Sequence, residues 1–423
     1  MMVIFTGLFS KPPGIRVPAP LFYRFNSLLM SQQNASRTLG TLALVVSFIQ
    51  FANALEYMAF NPIFAFMAPA FAVPLAFSGY VSAAYTFAAM FSGVIAFYFI
   101  GAINQKRFLL SNMALLCMLT AMTTLTTHFG VLLALRFFAG LVGGTTMGVA
   151  TSLLINAAPA QLRGKMVSTV IAAFSMISIV GMPAVLFICS RWGWKTSLLS
   201  ISACCLVALV LIVCVIPAQQ VCSGSRQKIT LDAQTLLFAS GNALVQFSPM
   251  LLIPLLVPLL QLLGATVTEL AWLFFAGGFA GYLATRFTGL LTQRYTALTL
   301  ALTSSALFVA SLLIPALHYA NPWLFMVLFL AAAYSRLVSS SVLTLQFPDN
   351  AQRAGFSSLQ TALMHLATTA AFSLSSWLLS ARALTLDALQ PLLIVCALSA
   401  LLFPLLVPLL QRKLALRSAA SHA

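Results

Sequence analysis

Long apolar runs alternate with short polar breaks along this chain. A membrane-spanning helix needs about 20 apolar residues in succession. Read with that window, the runs fall near 39–66, 78–100, 108–127, 131–158, 166–189 and 196–216. A polar break at Pro217–Lys228 follows, and six more runs lie near 232–262, 268–291, 297–316, 322–347, 356–380 and 388–410. The pattern predicts an all-α membrane protein with twelve transmembrane helices in two pseudo-symmetric six-helix bundles. The N-terminal bundle takes residues 38–216, a cytoplasmic linker takes 217–231, and the C-terminal bundle takes 232–410. Residues 1–37 read as a basic, disordered tail and 411–423 as a second tail. The first nine residues are apolar, but Lys11-Pro-Pro-Gly follows with no small-residue cleavage site, so no signal peptide is read there. Met30 is a second candidate start beside Met1.

Short echoes relate the two halves at a near-constant offset. Asn53-Ala-Leu with Phe60-Asn-Pro62 recurs as Asn242-Ala-Leu with Phe247-Ser-Pro249. Gly101-Ala-Ile-Asn-Gln105-Lys106 recurs as Gly289-Leu-Leu-Thr-Gln293-Arg294, and Pro159, Arg163 and Gly164 recur as Pro348, Arg353 and Gly355. Three matches in one order indicate a duplicated six-helix unit.

Composition agrees with a bilayer as the solvent: 61% of residues are hydrophobic and 6% charged, against about 25% charged in soluble domains. The net charge of +16 forms no nucleic-acid patch, because the basic residues sit in short loops. Fifteen of the 21 fall in the tails and in alternate loops, whereas Arg191, Lys195 and Arg382 lie on the other side. The positive-inside rule then puts both termini in the cytoplasm of a multi-pass protein of the cell inner (plasma) membrane. The seven cysteines lack metal-type spacing; six in apolar runs read as small core residues, and Cys222 lies in a loop.

Against this background one carboxylate stands out. The chain has five acids, and Glu56 alone lies deep in an apolar run. A charge at that depth costs roughly 2.5 kcal/mol or more, which marks it as functional. Asn53, Glu56 and Phe60 share one helical face that turns toward a cavity. A carboxyl there can hold either a proton or a cationic substrate, and competition between them couples their movements. Pro62 and Pro249 each remove a backbone donor and promote bends. Arg136, Gly140, Gly144 and Gly148 form a stripe whose glycines admit a close neighbour. Arg336 lies near mid-membrane, where it needs an anion, and Glu56 is the only deep one. His365, near Gln360, is a candidate proton relay. Arg286 sits where its side chain reaches the interface. Phe60, Tyr80, Tyr85 and Tyr334 are candidate pocket aromatics.

Several of these stretches together resemble the major facilitator superfamily. Leu135-Arg136-Phe-Phe-Ala-Gly140-Leu-Val-Gly143-Gly144 resembles its fourth-helix motif, and Ala158-Pro-Ala-Gln-Leu-Arg163-Gly164-Lys165 the loop after it. Gly181-Met-Pro183 and Gly193-Trp194-Lys195 resemble elements of the twelve-span drug:proton antiporters. Glu56-Tyr-Met-Ala-Phe-Asn-Pro62, Ser335-Arg336 and Gln352-Arg353-Ala-Gly355 resemble the arabinose- and sugar-efflux-like permeases. The resemblance implies a proton-coupled exporter of drugs, sugars or metabolites working as a monomer by alternating access, with Arg136 taking part in proton transfer. Two departures stand: Gln105 and Gln293 replace the loop acid that helps lock conformations, and Gly181-Met-Pro183 lacks the later glycines of its motif. The gating-loop candidates are therefore Gly101, Gln105, Lys106, Gly289, Gln293 and Arg294. An importer or uncoupled facilitator is the alternative. A membrane enzyme or sensor is disfavoured, since no metal-ligand pair, paired carboxylates or phosphate-cradling loop occurs. The partners expected are the lipid bilayer, protons and a small-molecule substrate, with no cofactor, metal or nucleic acid.

Overall fold

The computed structural model describes residues 19–99, 104–157, 176–217, 232–348, 353–380 and 383–422, and these are almost wholly helical. In chain order the helices are α1 (Ala19–Met67), α2 (Ser78–Phe99), α3 (Gln105–Thr123), α4 (Phe129–Ala157) and α5 (Met182–Val215). The second half has α6 (Ala233–Leu252), α7 (Leu256–Leu262), α8 (Leu270–Leu291), α9 (Ala297–Ala316), α10 (Pro322–Thr344), α11 (Arg353–Leu379) and α12 (Leu386–His422). Among the described residues, eight helices are long and apolar enough to cross a membrane by length and composition. Lys106 and Arg107 dilute the apolar content of α3. The α5 helix breaks at Gly193, whose φ of 83° lies where a side chain is disfavoured. Helix α1 reaches back to Ala19 and α12 runs on to His422, into both segments read as tails.

Large apolar side chains face outward, among them Phe87, Phe91, Val94 and Ile95 of α2 and Leu398 and Leu405 of α12. That surface suits lipid, and the chain is a multi-pass membrane protein. Four of the cysteines expected in the core are buried or half-buried in helices of the first half, namely Cys117, Cys189, Cys204 and Cys205, and Cys396 is buried in the second. Cys214 differs from the expectation: it is exposed, on the outward side of α5.

The interior shows how the halves meet. One apolar cluster joins them at the end that carries the 68–77 and 263–269 connections, combining residues such as Phe64 and Met67 with Leu252, Leu259 and Leu273. Toward the other end, each half has its own cluster: Val46, Leu109 and Leu153 in the first, Phe238, Phe347 and Phe403 in the second. Two crossings bind the joined region. In one, Thr86 of α2 meets Thr369 of α11 at 2.7 Å, and a Cβ added at Gly79 would overlap the Phe372 carbonyl. In the other, Ser178 meets the Tyr334 hydroxyl at 2.8 Å, and Gly278 admits the Ser178 backbone.

Prolines punctuate the helices at defined places. Ile177–Gly181 forms a wide π turn just before Pro183, which relieves the clash between the proline ring and the carbonyl four residues back. The α1 helix continues through Pro62, whereas α6, which contains Pro249, gives way to a 3₁₀ turn at Ile253–Leu255.

Candidate functional site

A buried ion pair forms the centre of the first half. Glu56 of α1 and Arg136 of α4 are 0% and 1% exposed, and the guanidinium Nη1 donates to Glu56 Oε1. Thr120 of α3 donates to the same oxygen at 3.4 Å. Arg136 is thus held inside the bundle rather than reaching the interface. The rings of Phe60 and Tyr85 lie against its guanidinium, at 3.8 and 4.6 Å from its central carbon. Cation–π contact of this kind contributes about 2 kcal/mol when water is excluded. Tyr57 stacks on Tyr85 with ring centres 4.9 Å apart.

Glycines of α4 allow this packing. A Cβ at Gly140 would overlap the Tyr85 backbone, one at Gly144 would press on Ala89, and one at Gly143 would strike the Tyr85 hydroxyl and Asn53 Oδ1. Gly181 similarly rests against Leu55 and Phe51 of α1. The Asn112 amide donates to Val142, Thr145 and Thr146 and fixes α3 against α4.

Not every polar atom here is satisfied. Glu56 Oε2, Asn53 Oδ1, Arg136 Nε and Arg136 Nη2 are buried and lack a hydrogen-bond partner among the described residues. Such atoms each cost on the order of 1–3 kcal/mol, more when charged. They therefore point to a ligand, water or a second arrangement of the site.

The sequence candidates are distributed unevenly. Asn53, Glu56 and Arg136 come together. His365 lies across the interface on α11, with its ring edge-on to Tyr57 at 6.5 Å. Arg336 does not join them: Glu56, the only deep acid read in the sequence, is held by Arg136. Arg336 points into the second half, donating to Ser305 Oγ at 3.2 Å, Ser248 Oγ at 2.7 Å and the Ala400 carbonyl at 3.1 Å, over the Phe308 ring. The α10 helix presents it to α6, α9 and α12, and hydroxyls with one carbonyl replace an anion there.

Of the loop candidates, Gln105 donates to Ser152 at 3.0 Å. The Lys106 ammonium caps the end of α5 by donating to the Val213 carbonyl at 3.1 Å and to the Ile216 carbonyl. Both contacts stay within the first half. In the second half Gln293 and Arg294 are exposed, with Gly289 half-buried before them. Gly101, Arg163 and Lys165 lie outside the described residues. Arg286 is exposed and lies near the Tyr282 ring. Tyr334 belongs to the crossing between halves, and Tyr80 packs on Phe77 instead.

Sequence reasoning missed Thr120 and Tyr57. Thr120 is a hydroxyl inside an apolar run, and Tyr57 follows Glu56 directly; polarity at that depth was the available signal. Among the described residues, no three His, Cys, Asp or Glu side chains gather as metal ligands.

Residues 46–231 match the model of the Major Facilitator Superfamily. No curated protein matches the chain in sequence. Among solved structures, a bacterial homologue of the human lysosomal transporter Spinster, inward-facing and occupied, superposes with a TM-score of 0.69 at 14% identity, covering 89% of this chain and 97% of that one. The nucleoside transporter NupG gives 0.71 at 12% identity, over 88% of this chain and 99% of that one. A D-xylose–proton symporter gives 0.68 at 15% identity, over 86% and 96%. Residues 46–231 thus match the Major Facilitator Superfamily in sequence, and the chain as a whole has the major facilitator fold.

Proposed function

We propose that this protein is a secondary transporter that exports small organic molecules by alternating access, in exchange for protons that bind Glu56. The observation that carries the reading is the buried Glu56–Arg136 pair with unsatisfied atoms on both partners. A proton on Glu56 cancels the carboxylate's charge and leaves a guanidinium without its anion in a water-poor interior. Removing one member of such a pair is worth about 3–5 kcal/mol, enough to shift a two-state equilibrium. Helices α1, α3 and α4 carry the groups involved, so the change in charge acts directly on their packing. Protonation and ligand binding at one carboxylate exclude each other, which supports exchange rather than co-transport. The halves, joined at one end and separately cored toward the other, provide the bistable body that alternating access requires.

The residues divide the work in this reading. Glu56 holds the proton or the ligand, Arg136 neutralises the empty state, and Asn53 and His365 present polar groups to the same space. Arg336 supports the second half as a structural cation. The protein acts as a monomer in the cell inner membrane, with both termini cytoplasmic. Comparing export from cells with and without the protein identifies a substrate. Vesicles reconstituted with Glu56→Gln protein are then expected to lose pH-driven movement of that substrate while the protein stays folded. Undiminished drive in this variant would sink the mechanism.

A further inference from the structure

The unsatisfied atoms around the pair form a pattern with two signs. Arg136 uses Nη1 for Glu56, which leaves Nε and Nη2, the two nitrogens of its side edge, without acceptors among the described residues. That edge presents two parallel N–H groups, a geometry that matches the two oxygens of a carboxylate. Glu56 Oε2 and Asn53 Oδ1 are acceptors without donors. They lie on one face of α1, three residues apart in sequence. All four atoms are buried. A group with several N–H donors and a positive charge, such as an ammonium, suits the two acceptors.

Charge balance narrows the class of ligand. A simple anion on the Arg136 edge would sit beside the Glu56 carboxylate, and a simple cation on Glu56 would sit beside the guanidinium. Each would place like charges together where little water screens them. A molecule carrying both charges sets each end against its opposite and leaves the site's net charge unchanged. Resting on the reading of Glu56 and Arg136 as the coupling pair, we propose that the transported molecule is a small zwitterion of the amino-acid type. Its carboxylate lies on the Arg136 Nε/Nη2 edge and its ammonium on Glu56 Oε2 and Asn53 Oδ1. Gly143 borders this site, since a Cβ there would overlap the Tyr85 hydroxyl and press on Asn53 Oδ1. The atoms are closed over in the present arrangement, so entry requires α1 and α4 to part. The ligand's ammonium and a proton need the same carboxylate, which gives the exchange a chemical basis.

The test uses matched probes on the purified full-length protein in detergent at neutral pH. Alanine, leucine and phenylalanine are titrated by calorimetry and thermal shift, each beside its N-acetyl derivative, which lacks the cation, and its methyl ester, which lacks the anion. At least one amino acid is expected to bind, with both of its derivatives weaker by about tenfold or more. Binding by none of the three, or equal binding of either derivative, overturns the proposal. Arg136→Lys keeps the charge but removes the two-nitrogen edge, and is expected to weaken amino-acid binding by about tenfold. Unchanged affinity in that variant also overturns it. Should the variant misfold, the wild-type probe series decides alone. Loss of proton drive in Glu56→Gln, with no amino-acid binding to wild type, would retain Glu56 as the coupling group and eliminate the zwitterion.

Discussion

Each half of this protein buries one arginine to 1% exposure, and the two are held in opposite ways. Arg136 has a carboxylate partner yet leaves two nitrogens unused. Arg336 has no acid beside it among the described residues, but three of its nitrogens donate to two serine hydroxyls and a carbonyl. The first arrangement is charged, incomplete and able to exchange partners. The second has uncharged partners and one on each of its three nitrogens, so no nitrogen stands without an acceptor. Under the proposed function, it is unsatisfied hydrogen-bonding capacity, rather than depth and charge alone, that separates the coupling arginine from the structural one.

Mutations that treat the arginines alike break the comparison most sharply. Glu56→Ala leaves Arg136 buried without an anion and is expected to cost about 3–5 kcal/mol, read as a large drop in thermal midpoint in detergent. The double variant Glu56→Leu/Arg136→Met removes both charges and is expected to recover most of that stability while pH-driven transport stays absent. Stability as low as in Glu56→Ala would show that the pair is a structural requirement. Arg336→Met is expected to cost about 1–3 kcal/mol, since Ser248 and Ser305 lose a donor, yet to retain the pH dependence of transport. Loss of proton drive in this variant, with folding intact, would erase the distinction between the arginines.

A closing test concerns the crossings between halves. Gly79→Val places a side chain against the Phe372 carbonyl and Ser376 hydroxyl. It is expected to hold α2 away from α11 and shift the population toward opening at that end, measured by cysteine accessibility near Thr86. Accessibility equal to wild type would dissociate the joined core from the transport cycle.

The smallest effect lies at helix starts. Asp232 caps α6 by accepting from the Thr235 backbone N–H at 3.0 Å, and Asn104 caps α3 by accepting from the Arg107 backbone N–H at 3.1 Å. Hydrogen bonds from the Thr235 side chain and backbone hold the Asp232 carboxyl below the usual carboxylate range. Its stabilising contribution is therefore present above the ordinary carboxylate pKa and is lost as pH falls through the lower folded value. Asp232→Ala is expected to lower stability by about 1 kcal/mol at neutral pH, and Asp232→Asn by much less. Thermal midpoints of wild type and Asp232→Asn are expected to converge as pH falls through the acidic range, and a difference that stays constant with pH would show that the cap is independent of charge.

The helical membrane architecture was legible because apolar length and loop charge are properties of single segments. Glu56 and Arg136 were legible one by one, since each is costly in hydrocarbon. Their pairing was not, because spacing within a helix says nothing about which neighbouring helix arrives. Depth along the axis puts Arg336 and Glu56 near one level but says nothing of rotation about it: α10 turns Arg336 toward α6, α9 and α12. The loop glutamines illustrate the same gap. Gln105 and Gln293 are equivalent in sequence, yet one is buried on Ser152 and the other is exposed.

The π turn at Ile177–Gly181 has a mechanical meaning beyond relief of Pro183. Gly181 at its end rests on Leu55, the residue beside Glu56, and Ser178 near its start touches both Gly278 and Tyr334 of the other half. A turn wound more loosely than its flanks yields before they do. Five residues therefore touch both the helix that carries the charged centre of one bundle and the body of the other, so that strain in either is shared through a single wide turn.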